Sequence, residues 1–323
     1  MLLRRASFDA HAANRVGRGT PLGRNQRKEA WAVIEQYKRI LKDQGIMDKD
    51  YAMETCARLI ARSRPTGLYR HVVVDEGQDF SPSAYRLIRA IAGFEHPNDI
   101  FITGDSHQRI YERNAILSRC GINISGRGNI LRMNYRTTEE IQRKATAILD
   151  GLSFDDMDEG VCDSVSYSLI HGPEPEIRGF SDREDEAQFV SQKIKNLLRS
   201  GVNTRSICVV ARSSSYLEGI GEGLRENGLP IFKLCDSSAD DASREGIRLS
   251  TMHRAKGLEF DYVFVVGVSE GEVPPRKIYS QRKRERTAAS FERNEKCLLY
   301  VAMTRAKKEV FVSYSGEKSS LLK

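Results

Sequence analysis

The sequence predicts an α/β chain built on parallel sheets, and three observations carry that expectation. Short apolar runs rich in β-branched residues, at 72–74, 100–102, 206–210 and 262–268, have strand character. Stretches with apolar residues at three- and four-residue steps lie between them, which is the pattern of amphipathic helices. The alternation runs through 323 residues, long enough for about two domains that each bury a core.

Taken in order, Trp31, Ile34, Tyr37 and Leu41 recur at helical spacing, as do Tyr51, Cys56, Leu59 and Ile60, with Gly45 separating two helices. Pro65 and Gly67 end the helical stretch. The run 72–74 reads as a short buried strand that stops on acidic residues, residues 83–92 as a helix, and 100–102 as a second buried strand closed by Thr103, Gly104 and Asp105. A glycine-rich, basic connector at 121–128 marks a boundary, which divides the chain into residues 1–127 and 128–323. Beyond it the rhythm resumes with a helix at 184–198, a strand at 206–210, a helix at 217–227 and a strand at 231–234. A polar loop at 236–244, strands at 247–250 and 262–268, a basic segment at 276–286, a helix at 291–304 and a last strand at 310–314 complete it.

Composition narrows the classes. Hydrophobic residues make up 40% and charged residues 29%, too apolar for a wholly disordered chain. The apolar runs fall far short of the roughly 18 residues that cross a bilayer, so no membrane association is expected. Arg4 and Arg5 are followed by His11, Asn14, Arg15 and Arg18 where a secretory signal needs an apolar core, which points to a cytoplasmic chain. The six cysteines are scattered, with no Cys-x-x-Cys pair, and fit reduced thiols better than zinc ligands or disulfides. A net charge of +7 favours polyanionic partners without fixing one.

Five stretches carry chemistry. His71-Val-Val-Val-Asp-Glu-Gly-Gln-Asp79 delivers adjacent carboxylates at the C-terminal end of an apolar strand, a Walker-B geometry. There Asp75 suits Mg²⁺ and Glu76 suits a base that takes the proton from attacking water. An ordinary strand running into a solvated acidic turn would look the same. Thr103-Gly-Asp-Ser-His-Gln-Arg-Ile-Tyr111 offers Gln108 to sense a γ-phosphate and Tyr111 to stack on a base, or is a plain polar loop. In Leu131-Arg-Met-Asn-Tyr-Arg-Thr-Thr-Glu-Glu140, Arg136 suits a developing phosphate charge; a helix cap at Thr137 or Thr138 is the plainer alternative. The fourth stretch, Ile247 to Asp261, sets Thr251, His253 and Lys256 in a loop suited to backbone phosphates, with Gly257 for a tight turn. The fifth, Leu298 to Lys307, presents Arg305 at the end of an apolar helix face.

Together, in this order and spacing, the five stretches resemble motifs II to VI of the UvrD/Rep/PcrA-like superfamily-one DNA helicases, over about residues 15 to 315. Asp75 to Asp79 resembles motif II, Gly104 to Tyr111 motif III, Asn134 to Thr137 motif IV, Thr251 to Phe260 motif V and Leu299 to Ala306 motif VI. The resemblance implies two RecA-like parallel-sheet domains with ATP between them. It implies that Asp75 and Glu76 serve Mg²⁺ and water activation, Gln108 reads the γ-phosphate and Tyr135 stacks on adenine. By the same resemblance Arg136 and Arg305 act as arginine fingers, and Glu259 lies near the ribose. Thr251, His253 and Tyr111 would contact single-stranded DNA, or a junction of single and double strand, and movement would run 3′→5′.

The chain departs from that family in two places. No Gly-x-x-x-x-Gly-Lys-Ser/Thr phosphate loop precedes motif II; the glycine-rich stretch 17–23 lacks Gly-Lys-Ser/Thr and does not follow an apolar strand. The first domain is therefore expected to be incomplete, with sheet edge exposed and hydrolysis by the chain alone weak or absent. Three explanations stand open: a fragment, a helicase completed by a missing N-terminal segment or a partner chain that supplies Walker A, and an inactive remnant that binds single-stranded nucleic acid or a partner. The long helical insertion between motifs IV and V of larger relatives is also expected to be absent, since only 236–244 separates the strand at 231–234 from motif V. The basic run Arg276, Lys277, Arg282, Lys283, Arg284 and Arg286 either tracks phosphates or is a solvated loop.

Overall fold

The computed structural model describes residues 23–111, 115–154, 166–234, 240–241, 243–284 and 288–322. Residues 17–22 of the glycine-rich stretch, 236–239 of the polar loop and the side chains of 282–287 lie outside the described residues.

Two helices lead in. The first, α1 (Arg24–Asp43), buries no residue, and α2 (Lys49–Ser63), capped by the Asp48 carboxylate on the Tyr51 amide, buries only Ala57. Helix α2 lies against α3 (Pro82–Ala92), where Asp50 accepts from the hydroxyls of Ser81 and Ser83. Pro82 sits in the first turn of α3 and the Ser81 hydroxyl accepts from the Ala84 amide, the pairing that starts a helix cleanly. Strand β1 (Val72–Val74) precedes α3, and β2 (Ile100–Ile102) follows it and pairs with β1 in parallel.

The two strands are only half buried, contrary to the sequence expectation. Ile100 and Ile102 pack towards Tyr85, Leu117 and Ile122, but Val73 and its cross-strand partner Phe101 are 74% and 63% exposed. Alternate side chains of a strand point to opposite faces, and helices reach one face alone. Among the described residues the sheet is two-stranded, so each strand keeps one edge unpaired.

The second half is built around a larger sheet. A short pair, β3 (Met133–Asn134) and β4 (Tyr167–Ser168), flanks α4 (Glu139–Ile148). Then come β5 (Glu176–Phe180), α5 (Arg183–Arg199), β6 (Ile207–Ala211), α6 (Ser214–Glu226), β7 (Ile231–Lys233), β8 (Ile247–Thr251) and β9 (Phe260–Val266). Helices α7 (Arg276–Arg284) and α8 (Ala288–Met303) and strand β10 (Ala306–Ser315) follow. The six long strands are all parallel, in the order β5-β10-β9-β6-β8-β7.

Strand β6 shows why the sheet is stable. All five of its residues are buried, with Ile207 and Val209 facing Ile194, Ile220 and Leu224 of α5 and α6, and Cys208 and Val210 facing the side that holds Ile141 of α4 and Leu298 of α8. A parallel strand covered on both faces reads as one continuous apolar run, which is how the sequence showed it.

The short pair β3–β4 was not foreseen, and three further features differ from the sequence reading. Strand β5, Glu-Ile-Arg-Gly-Phe, is an edge strand with no apolar run, held by backbone pairing to β10. Helix α4 was expected only as a cap, and Thr138 does cap it, its hydroxyl accepting from the Ile141 amide. The basic segment considered as a solvated loop is helical over Arg276–Arg284.

Candidate active site

The carboxylate pair at the end of β1 is held in a strained turn. Glu76 has a left-handed backbone, φ 53°, uncommon for a residue with a side chain and typical of sites that re-aim a functional group. Gly77 follows, and only glycine fits there: a Cβ would stand 2.6 Å from the Tyr85 hydroxyl and 2.7 Å from Ile102. That hydroxyl donates to the Gly77 carbonyl at 2.6 Å, which locks the turn.

Asp75 is exposed. Its Oδ1 accepts from the Thr103 hydroxyl at 2.6 Å and from the Glu76 amide at 2.9 Å; the hydroxyl first, then the amide, holds the carboxyl below its ordinary pKa. Gln78 is buried and ties this turn to the next one, donating to Glu76 and accepting from the Asp105 amide at 3.0 Å. Burial pushes the Asp105 carboxyl up, but the His107 ring and the Gln108 amide outweigh it and bring the group below the usual carboxylate range. Asp105 thereby fixes Gln108, whose Nε2 donates to it at 2.9 Å.

Gln108 faces the second half of the chain. Its Oε1 lies 3.3 Å from Nη2 of Arg305, a residue only 2% exposed at the junction of α8 and β10. Arg305 also donates to the carbonyls of Val301 at 3.1 Å and Leu258 at 3.4 Å. Burial, and after it the nearby Arg136 charge, pulls its guanidinium pKa down to about 10, so it stays protonated at neutral pH. Arg136 lies 3.1 Å from Glu259, which also pairs with Lys307 at 2.5 Å. The Lys307 ammonium above all holds the Glu259 carboxyl below its ordinary pKa.

These groups line one cleft of about 680 Å³, shared by Gln108, Tyr135, Arg136, Glu259 and Arg305 with Asp105, Asn134, Tyr300 and Lys307. Tyr135 is 74% exposed, its ring free to receive a flat ligand. The cleft opens beside Glu259 and Arg305, at the N-terminal ends of β9 and β10, whereas Asp75 and Glu76 stand at the C-terminal end of β1. Asp75 and Glu76 are not among the residues that line the cleft; the first half reaches it through Asp105 and Gln108, which follow the C-terminal end of β2, where ligands of open α/β sheets sit.

Thr251 and His253 stand apart from the cleft. Thr251 ends β8, level with Ala211 of β6 and, through it, Val266 of β9, at the C-terminal edge of the sheet. Its Oγ1 accepts from the Arg254 amide at 3.3 Å, and Gly257 makes the expected turn at φ 82°. Tyr111 is partly exposed.

Lys256 departs from the expectation of a phosphate contact. It is 9% exposed along its side chain, and its Nζ meets both oxygens of Asp79 at 2.8 and 2.7 Å and the Gln108 carbonyl at 2.8 Å. An ammonium so enclosed by a carboxylate and a carbonyl has no donor left to offer a strand. Arg305, which could have been a surface charge, is buried, with Nε and Nη1 directed at backbone carbonyls. Besides Lys256, sequence reasoning missed Gln78, Asp79, Asp105 and Lys307 as members of the site. All four lay inside the quoted stretches, and nothing in the sequence marked their partners.

Among the described residues no group of three His, Cys, Asp or Glu side chains could hold a metal by itself. One exposed carboxylate of low pKa fits the way Mg²⁺ is held, by one or two carboxylates, water and a substrate's phosphates. No described helix is long and apolar enough to cross a membrane.

Comparison with known proteins gives the family to which the chain is related. The model of the UvrD/REP helicase N-terminal domain matches residues 6–118, and that of the UvrD-like helicase C-terminal domain matches residues 130–238 and 233–317. A probable DNA helicase of Mycoplasma pneumoniae is 28% identical over 304 residues, which cover 90% of this chain and 53% of that protein. The mitochondrial ATP-dependent DNA helicase HMI1 of Saccharomyces cerevisiae is 30% identical over 178 residues, 51% of this chain and 25% of that one. The ATP-dependent DNA helicase UvrD2 of Mycobacterium tuberculosis is 22% identical over 344 residues, 78% of this chain and 48% of that protein. The chain thus spans about half the length, or less, of these relatives.

Proposed function

Because this chain belongs to the UvrD-like DNA helicase family, we propose that it is the motor part of an ATP-dependent DNA helicase or translocase, working 3′→5′ on single-stranded DNA. Residues 1–127 form a partial first RecA-like domain and 128–323 the second. The observation that carries the reading is the meeting of Gln108 with Arg305 across the cleft, at 3.3 Å, beside Arg136 and Glu259.

In this reading the triphosphate lies between the halves, with Tyr135 against adenine and Glu259 near the ribose. Asp75 holds Mg²⁺, and the ion supplies charge neutralisation at the phosphates when bound. Glu76 accepts the proton of the attacking water. Arg305 and Arg136 offset the charge that grows on the γ-phosphate, and Gln108 orients the same group. Thr251, His253 and Tyr111 touch the strand.

No Gly-x-x-x-x-Gly-Lys-Ser/Thr occurs in the 323 residues, which favours a second reading. A missing N-terminal segment or partner chain then supplies Walker A, or the chain is an inactive remnant that binds single-stranded nucleic acid or a partner protein.

ATP hydrolysis by the purified chain, with and without single-stranded DNA, tests this. Stimulated turnover abolished by Glu76→Gln establishes a working motor. No turnover with DNA binding intact assigns the chain to the second reading, and neither turnover nor DNA binding overturns the motor reading and leaves of the second only a binder of partner proteins.

A further inference from the structure

Helix α7 has a composition that the cleft does not use. Its nine residues, Arg-Lys-Ile-Tyr-Ser-Gln-Arg-Lys-Arg, carry five cations and no carboxylate. Crowding like charges on one short helix is unfavourable unless they are solvated or meet an anion. Arg276 and Lys277 are exposed, Ile278 is 42% exposed, and no ion pair among the described residues involves either cation. Tyr279 anchors the helix, with its ring 6.3 Å from that of Phe291 on α8.

The position of α7 matters as much as its charge. Strands β6, β8 and β9 end level, because Ala211 is the register partner of both Thr251 and Val266. Thr251 and Val266 are thus two strands apart, about 10 Å at the spacing of a sheet. The chain that leaves Val266 reaches α7 through a tight turn, closed by the Arg276 amide on the Gly271 carbonyl at 2.8 Å and braced by Glu272 near the Ser213 hydroxyl at 3.4 Å. The basic helix therefore starts from the same sheet edge as the loop of Thr251 and His253.

We propose that α7 is a second phosphate-binding surface, which holds the backbone of a DNA strand where it runs beyond the Thr251–His253 loop. The proposal rests on the reading above that this loop touches DNA. It assigns α7 no base preference, since lysine and arginine on phosphates fix position and not sequence.

The test is binding of the full chain to a fluorescein-labelled oligothymidylate, followed by anisotropy across a salt series. Arg276, Lys277, Arg282, Lys283 and Arg284 are changed to Gln, which keeps helix propensity. A control chain carries the same loss of charge on α1, at Arg24, Arg27, Lys28, Arg39 and Lys42. If three of the five α7 cations sit on phosphates, the slope of log K against log salt falls by about 2, and affinity near 0.1 M salt weakens roughly a hundredfold. The α1 control keeps the wild-type slope, and Lys277→Glu alone gives a smaller loss in the same direction. Unchanged binding by the α7 variant, or equal weakening by the α1 control, overturns the proposal and leaves the helicase reading standing. Wild-type chain that shows no salt-sensitive binding overturns both.

Discussion

Arg305 directs Nε and Nη1 at protein carbonyls and Nη2 at Gln108. That geometry makes lysine a poor substitute: an ammonium has no rigid fork to hold two backbone carbonyls and still reach across the cleft. In a reconstituted protein that contains a phosphate loop, Arg305→Lys and Arg136→Ala are each expected to lower steady-state ATP turnover by about 10³-fold or more. Rates within tenfold of wild type would remove the arginine-finger assignment. The local motifs pointed to Arg305 and Gln108, and the family resemblance to Glu259, but the sequence misjudged Lys256. A lysine in a loop reads alike whether it faces a phosphate or a carboxylate, and the carboxylate it faces lies 177 residues away.

At the scale of elements, legibility followed burial. Strand β6 was visible because burial on both faces forces an unbroken apolar run, whereas edge strand β5 draws its stability from backbone pairing that any residue can make. The same logic separates two substitutions. Ile207→Ala, in fully buried β6, is expected to cost about 2–5 kcal/mol by denaturant titration. Phe101→Thr, on the bare face of β2, keeps strand propensity and changes stability by no more than about 0.5 kcal/mol. A large loss at Phe101 would mean that its face is covered in solution. Large exposed apolar patches mark interaction sites or aggregation hazards, so the Phe101 variant should also be the more soluble of the two.

Across the whole molecule, the two halves meet through Lys256 as well as through Arg305. Lys256→Met leaves Asp79 without its main partner and is expected to cost about 2–3 kcal/mol, less than for a fully buried pair because Asp79 is partly exposed. Lys256→Met combined with Asp79→Asn should recover part of that loss in a double-mutant cycle; strictly additive losses would show that the pair is not coupled. The segment that bears Lys256 runs from Thr251, at one edge of the sheet, back to Phe260, at the other, about 20 Å along the strand direction. It does so in eight residues, two of its turns closed by the Ala255 and Leu258 amides, where parallel strands are ordinarily joined by a dozen residues or more. Such a tether has little slack. A displacement at its Thr251 end is expected to be felt at Lys256 and Glu259, which makes this crossover a short tendon between that edge of the sheet and the cleft.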